Sequence, residues 1–221
     1  SRVDNVKRNA ERVQRLMRSY SRYQGTQVAA TAIMSDLSAN EKTDISLVTI
    51  EGYLSALRKI FIIEDLPAWN PNLRSRTAIR TSDTRYFADS SIATTALGIG
   101  LEDLVNDLRT FGLFFETLAI HDLRIYAETI GGSVYHYRDS NGLECDAVIH
   151  LRNGSYGLVE IKLGGDKLIE EGAKTLHKLA SIIDTTKMKS PSFLMILIGV
   201  GTHAFQRKDG VLVVPLSTLR E

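Results

Sequence analysis

Cysteine is almost missing: only Cys145 occurs in 221 residues. An internal disulfide is therefore excluded, a thiolate zinc site cannot be built from this chain alone, and a reducing, cytoplasmic setting is expected. No apolar run approaches the roughly 20 residues that a membrane helix needs, and the opening stretch is too charged for a secretory signal. An excess of one charge sign is also absent. Lys plus Arg number 27 against 26 Asp plus Glu, a formal net charge of +1, so overall charge argues for no polyanionic partner. There is no internal repeat and no low-complexity tract. No Gly-x-Ser-x-Gly frames a nucleophilic serine, and without a Gly-x-x-x-x-Gly-Lys-Ser/Thr the chain cannot hydrolyse ATP through a P-loop. It also opens in mid-pattern with no Met, and is read as a piece of something longer.

What is present is a globular composition, 43% hydrophobic and 24% charged, enough for one large domain or two small ones. Charge is uneven along the chain. Residues 1–24 hold seven basic side chains (Arg2, Lys7, Arg8, Arg12, Arg15, Arg18, Arg22) against Asp4 and Glu11, and Arg74, Arg76, Arg80 and Arg85 face only Asp83. Such clusters attract phosphate backbones and equally serve as solvated faces.

The apolar positions Val6, Ala10, Val13, Met17 and Tyr20 recur at three and four and predict a helix from Val3, ended by Gly25. A short helix over Val28 to Leu37, a polar turn over Asn40 to Asp44, and a helix capped by Ser46 and carrying Leu47, Ile50, Leu54 and Leu57 follow. Ile60 to Leu66 reads as a strand. This order predicts a winged helix-turn-helix over residues 1–69, with the Ser46 to Arg58 helix placed to enter a groove or to dock on a protein. Trp69, between Pro67 and Pro71, reads as a packing anchor at the domain boundary. Residues 70–100 read as a bridging segment with a short strand at Tyr86 and Phe87.

The rest, residues 101–221, is an α/β pattern. Leu101 to Ile130 is read as helix with Leu104, Leu108, Phe115, Leu118 and Leu123 as its core positions. Strands follow over Ser133 to Arg138, Cys145 to Leu151 and Tyr156 to Leu163, joined by turns at Asp139-Ser140-Asn141-Gly142 and Asn153-Gly154. A helix with Ile169, Ala173, Leu176, Ala180 and Ile183 on one face leads to a buried strand over Phe193 to Val200 and a last one at Val211 to Pro215.

Strand side chains alternate faces, so Glu160 and Lys162 project to one side while Val159 and Ile161 point into the core. Asp146 opens the neighbouring strand. If the two strands pair, two carboxylates and an ammonium converge, the set that phosphodiester hydrolysis asks for: hard oxygens to hold Mg²⁺ or Mn²⁺ and a cation near the water or the phosphate. The competing reading is a salt bridge on a solvated strand. His121 and His136 flank these residues in sequence and read as half-buried polar groups, and Cys145 reads as a core residue.

The spacing of Asp146, Glu160 and Lys162 and the order of elements around them resemble the PD-(D/E)xK nuclease superfamily, with Cys145 standing where that family's loosely kept Pro would be. The resemblance implies a restriction-endonuclease-like αβββαβ domain in which Asp146 and Glu160 hold a divalent metal, Lys162 acts at the water or phosphate, and Glu116, in Gly112-Leu113-Phe114-Phe115-Glu116, is the helix-borne acid beside the metal. A second resemblance covers nearly the whole chain. Thr49-Ile50-Glu51-Gly52-Tyr53-Leu54, Asp65-Leu66-Pro67-Ala68-Trp69, Tyr86-Phe87-Ala88-Asp89, Tyr137-Arg138-Asp139, Glu144-Cys145-Asp146 and Glu160-Ile161-Lys162 are similar to the uncharacterised C-terminal module of a large group of prokaryotic AAA+ type ATPases. It implies that the P-loop ATPase domain precedes this chain and is absent from it.

The expectation is thus a DNA-binding fragment of an AAA+ ATPase with Mg- or Mn-dependent phosphodiester hydrolysis at Asp146, Glu160, Lys162 and Glu116. The alternative is a catalytically silent nuclease fold that serves the missing ATPase as a nucleic-acid- or protein-binding scaffold.

Overall fold

The computed structural model of the chain describes residues 2–3, 6–7, 9–40, 45–70 and 82–219. It is a mixed α/β structure, helices first and then a six-stranded mixed sheet. Two compact units divide it: Ser1–Asp65 with Thr84–Thr117, and Leu66–Asp83 with Leu118–Glu221. The segment read as a bridge is therefore shared between the units, and Trp69 belongs with the second.

In the first unit a small antiparallel pair, β1 (Arg2–Val3) and β2 (Val6–Lys7), precedes helix α1 (Ala10–Ser21). The helix starts later than its apolar period predicts because Asn9 is extended and its side chain accepts from the Arg12 N–H, one of the donors that a helix start leaves open. Helices α2 (Ala30–Asn40) and α3 (Leu47–Lys59) follow, and Ser46 caps α3 by accepting from the Thr49 N–H at 3.2 Å. The strand expected over Ile60 to Leu66 does not form. Phe61 turns into the left-handed region at φ 57°, and the segment makes isolated bridges rather than a strand, Ile63 pairing with Phe87. Helix α4 (Ser90–Leu97), unread in the sequence, is framed by an Asp89 cap and a left-handed Gly98.

The long helix expected over Leu101 to Ile130 is two, α5 (Leu101–Asn106) and α6 (Leu108–Thr129). Asp107 breaks it, because its carboxylate takes the N–H and hydroxyl of Thr110 and so caps the second helix. Leu108 and Leu118, expected in the core, are 63% and 40% exposed. Leu16, Tyr20, Ile33, Ile50, Leu54, Phe87, Ala93 and Phe114 form the core of this unit. Arg85, counted with a basic cluster, is structural instead: it donates to the Val28 carbonyl at 2.8 Å and lies 3.6 Å from Asp65, which also receives Arg58 and the Tyr20 hydroxyl. Arg22 is likewise paired with Asp36 at 3.1 Å. Residues 41–44 of the expected polar turn, the side chains of Arg2 and Lys7, and Arg8, Arg74, Arg76 and Arg80 lie outside the described residues.

The second unit is built on β3 (Gly132–Arg138), β4 (Glu144–Leu151), β5 (Tyr156–Lys162), β6 (Phe193–Ile198), β7 (Phe205–Gln206) and β8 (Leu212–Pro215), in the order β3-β4-β5-β6-β8-β7. The β3–β4 hairpin turns where predicted, with Asp139 accepting from the N–H groups of Asn141 and Leu143 and Gly142 at φ 81°. From β5 the chain crosses through helix α7 (Asp166–Ile182) to β6, which runs parallel to β5. β5 is buried along nearly its whole length, with α7 packed on the face of Leu158. Gly157 must lack a side chain, because a Cβ there would meet the Phe193 ring at 2.1 Å. Ile169, Ala173, Leu176 and Leu179 of α7 pack with Val148, Leu158, Ile196 and Val213. Trp69 completes this core: its N–H donates to the His136 carbonyl on β3, and its ring lies 5.0 Å from that of Tyr156. Among the described residues no helix is long and apolar enough to cross a membrane.

Candidate active site

The β4–β5 ladder runs from His150 opposite Tyr156 to Ala147 opposite Val159. Carried one step further, that register sets Asp146 across from Glu160 on the same face, with Lys162 two residues beyond. There the ladder opens. The Ile161 N–H, instead of reaching a strand carbonyl, donates to Asp146 Oδ2 at 2.7 Å, which anchors the carboxylate to the backbone of β5.

Lys162 Nζ lies 3.0 Å from Asp146 Oδ2 and 2.6 Å from Glu160 Oε2. The three side chains therefore meet at one point, and Asp146 Oδ1 and Glu160 Oε1 enter none of these contacts. The ion pairs of the competing reading therefore form, but not on a solvated strand: Glu160 is only 5% exposed and sits under α7 with the core, on the same face as Leu158. Burial pushes its carboxyl up to about 8, the charge of Asp146 adds to this, and Lys162 opposes it. For Lys162 burial acts downward, but the two neighbouring carboxylates outweigh it and hold the ammonium well above its ordinary value.

The cluster opens on a cavity of about 470 Å³. Glu144 and the Asn141–Leu143 turn form one side, and Lys174, Thr175 and Lys178 of α7 the other. Lys174 is 3.3 Å from Glu170, while Lys178 has no ion pair among the described residues. These two lysines escaped the sequence reading, which took α7 for its apolar face alone. Their spacing of four, directly after a Glu-x-Lys strand, was the signal available.

Other candidates are placed differently. Glu116 is in the first unit, on α6, where its carboxylate accepts from the Tyr86 hydroxyl. His136 is buried on β3, with Nε2 3.0 Å from the Ser82 carbonyl, and burial lowers its pKa. Cys145 is buried, with its thiol directed at the carbonyls of Ala147 and Val159 and pushed up by burial.

The donor set decides what cation suits the cavity. Two carboxylates with uncommitted oxygens fit a hard ion such as Mg²⁺ or Mn²⁺, which keeps waters and shares its remaining positions with a phosphate. Among the described residues there is no group of three or more His, Cys, Asp or Glu side chains that would form an all-protein cage.

Two family models match the chain: residues 1–103 match a domain of unknown function (DUF8612), and residues 111–219 match another domain of unknown function (DUF4143). No curated protein matches it. Among solved structures it is similar to a chain of the half-complex from a tetradecameric assembly of Thermococcus gammatolerans McrB AAA+ hexamers with bound McrC. The identity is 12%, the match covers 97% of this chain and 75% of that one, and the TM-score is 0.32, too slight a likeness to carry an assignment.

Proposed function

We propose that the second unit is a restriction-endonuclease-like domain that cleaves DNA phosphodiesters with a divalent cation, and that the first is a winged helix-turn-helix that helps to hold the substrate. The observation that carries this reading is the meeting of Asp146, Glu160 and Lys162 at the mouth of one cavity. The order β3, β4, β5, α7, β6 supports it, as does the resemblance of the sequence motifs to the C-terminal module of AAA+ type ATPases. Asp146 and Glu160 would hold the ion. When bound, Mg²⁺ or Mn²⁺ supplies an acidified water and neutralises charge on the phosphate. Lys162, kept protonated by its two partners, donates to a phosphate oxygen rather than removing a proton from water. Lys174 and Lys178 steer the diester backbone toward it. An assisting role for Glu116 is implied by the family resemblance alone, and a lowered Mn²⁺ affinity in Glu116→Gln is the sign of it.

Incubation of supercoiled plasmid or single-stranded DNA with Mn²⁺ tests the reading: nicking by the wild type and none by Lys162→Ala supports it, and intact DNA after long incubation with the wild type refutes it.

One observation favours a second reading, a silent scaffold serving the ATPase. The Lys162 ammonium already occupies the point between the carboxylates, and Glu160 at about 8 retains its proton at neutral pH. Calorimetric titration with Mn²⁺ separates the two: binding that vanishes in Glu160→Ala favours the enzyme, and no binding to either protein favours the scaffold.

A further inference from the structure

The cavity over Asp146, Glu160 and Lys162 keeps those three groups at its floor and its other charges at the rim. The side chains of Asp146, Glu160 and Lys162 are 19%, 6% and 23% exposed, whereas those of Glu144 and Lys174 are 50% and 73% exposed and Lys178 is exposed as well. A diester therefore has to descend between the Asn141–Leu143 turn and α7 to reach the carboxylates.

The two sides differ in sign. On the α7 side stand Lys174 and Lys178, four residues apart and so on one face of the helix. They are not equivalent. Lys174 lies 3.3 Å from Glu170, whose other oxygen is 2.7 Å from Arg207, and Arg207 is held in turn by Asp209 at 2.9 Å. Lys178 has no ion pair among the described residues, so its ammonium is open to an incoming phosphate. On the β4 side stands Glu144. Arg138 is 3.0 Å from its Oε1 but does not line the cavity, so what the cavity meets is the carboxylate, and its charge is felt at Glu160.

On the phosphodiester reading of the site, on which this rests, we propose that the cavity takes a single DNA strand and rejects a duplex, Lys178 gripping a phosphate next to the scissile one and Glu144 repelling a second strand. In a duplex the two backbones flank each groove, the narrower being about 6 Å wide. A strand seated on Lys178 sets its partner's phosphates toward the other side, where Glu144 meets them with like charge. A lone strand brings no such partner. No lining residue is aromatic, so bases find no stacking platform and the strand is held through its phosphates whatever its sequence.

The test is fluorescence anisotropy of labelled oligonucleotides about 12 nucleotides long with the full chain, in EDTA so that nothing is cut. Oligo(dT) and a mixed-sequence single strand are expected to bind alike, and the mixed-sequence duplex about tenfold more weakly. Lys178→Gln is expected to weaken the single strand several-fold and to lower the slope of log K against log salt by about one, the mark of one lost phosphate contact, which a structural lysine does not leave; Lys174→Gln costs less. Glu144→Gln is expected to raise duplex affinity more than single-strand affinity and so to narrow the gap. All three positions are exposed, and an unchanged circular dichroism spectrum shows that the fold is kept. The proposal is overturned if no single strand binds, if the duplex binds as tightly, if the salt slope ignores Lys178→Gln, or if the gap ignores Glu144→Gln. Plasmid nicking in Mn²⁺ alongside such a failure removes only the strand preference, and the expected binding without nicking of any DNA removes only the hydrolysis.

Discussion

Gly172 of α7 lies so close over Glu160 of β5 that a Cβ at position 172 would stand 3.4 Å from the Glu160 Cβ and 3.5 Å from Ile196. The helix roofs the buried acid, and the missing side chain leaves it room. Ala at 172 makes ordinary van der Waals contact and removes a helix-weakening glycine, so Gly172→Ala should raise the unfolding free energy by about 0.5–1 kcal/mol. Gly172→Leu has to displace Glu160 or Ile196 and should lower it by about 1–3 kcal/mol. Urea denaturation of the two variants checks both signs.

Removing the ammonium leaves the Asp146 carboxylate beside the Glu160 carboxyl without the cation that both contact. Lys162→Met keeps the aliphatic stem but not the charge, and it should destabilise the chain by about 3 kcal/mol, as breaking a largely buried ion pair does. A loss near zero in denaturant titration would show that the cluster is solvated in solution.

The position of Glu160 predicts a pH dependence. Its carboxyl is pushed up to about 8 from an ordinary 4.5 by burial and by Asp146. Between those values the folded chain holds a proton that the unfolded chain has lost, so its contribution is complete below about 4.5 and disappears as pH rises through about 8. Stability of the wild type minus that of Glu160→Gln should therefore fall over this window and flatten above it. A flat difference from pH 4 to 9 in metal-free buffer is the contrary result.

Trp69 is the only tryptophan, buried against Tyr137, His150 and Tyr156. Trp69→Ala should cost about 3–5 kcal/mol through the cavity it opens. Fluorescence of the wild type should be blue-shifted and should redden in one cooperative step as the sheet unfolds.

Ser46→Ala removes the side-chain acceptor for the Thr49 N–H and should cost about 1 kcal/mol, while Ser46→Asp should retain most of it. Thermal unfolding followed by circular dichroism distinguishes the two.

Periodicity and caps carried much of this architecture in the sequence. Ser46 announced α3, Asp139 to Gly142 announced a hairpin, and the two-residue step between Glu160 and Lys162 placed both side chains on one face. Asp89 and Gly98 carried the same kind of signal for α4, and Asp107 for the break before α6, but each lay inside a pattern that pointed elsewhere. These features are local: a cap, a turn or an alternation needs only a few neighbours.

What the sequence by itself determined is therefore local: the caps and turns that bound several elements, and the shared face of Glu160 and Lys162. Tertiary structure alone decided depth and company: that Glu160 lies beneath Gly172 rather than on a wet strand, that Asp146 takes the Ile161 N–H, that Lys174 and Lys178 border the cavity, that Glu116 meets Tyr86, and that Trp69 belongs to the sheet. Each joins residues far apart in the chain, and their meeting depends on how strands pair and helices pack, which no short window of sequence contains.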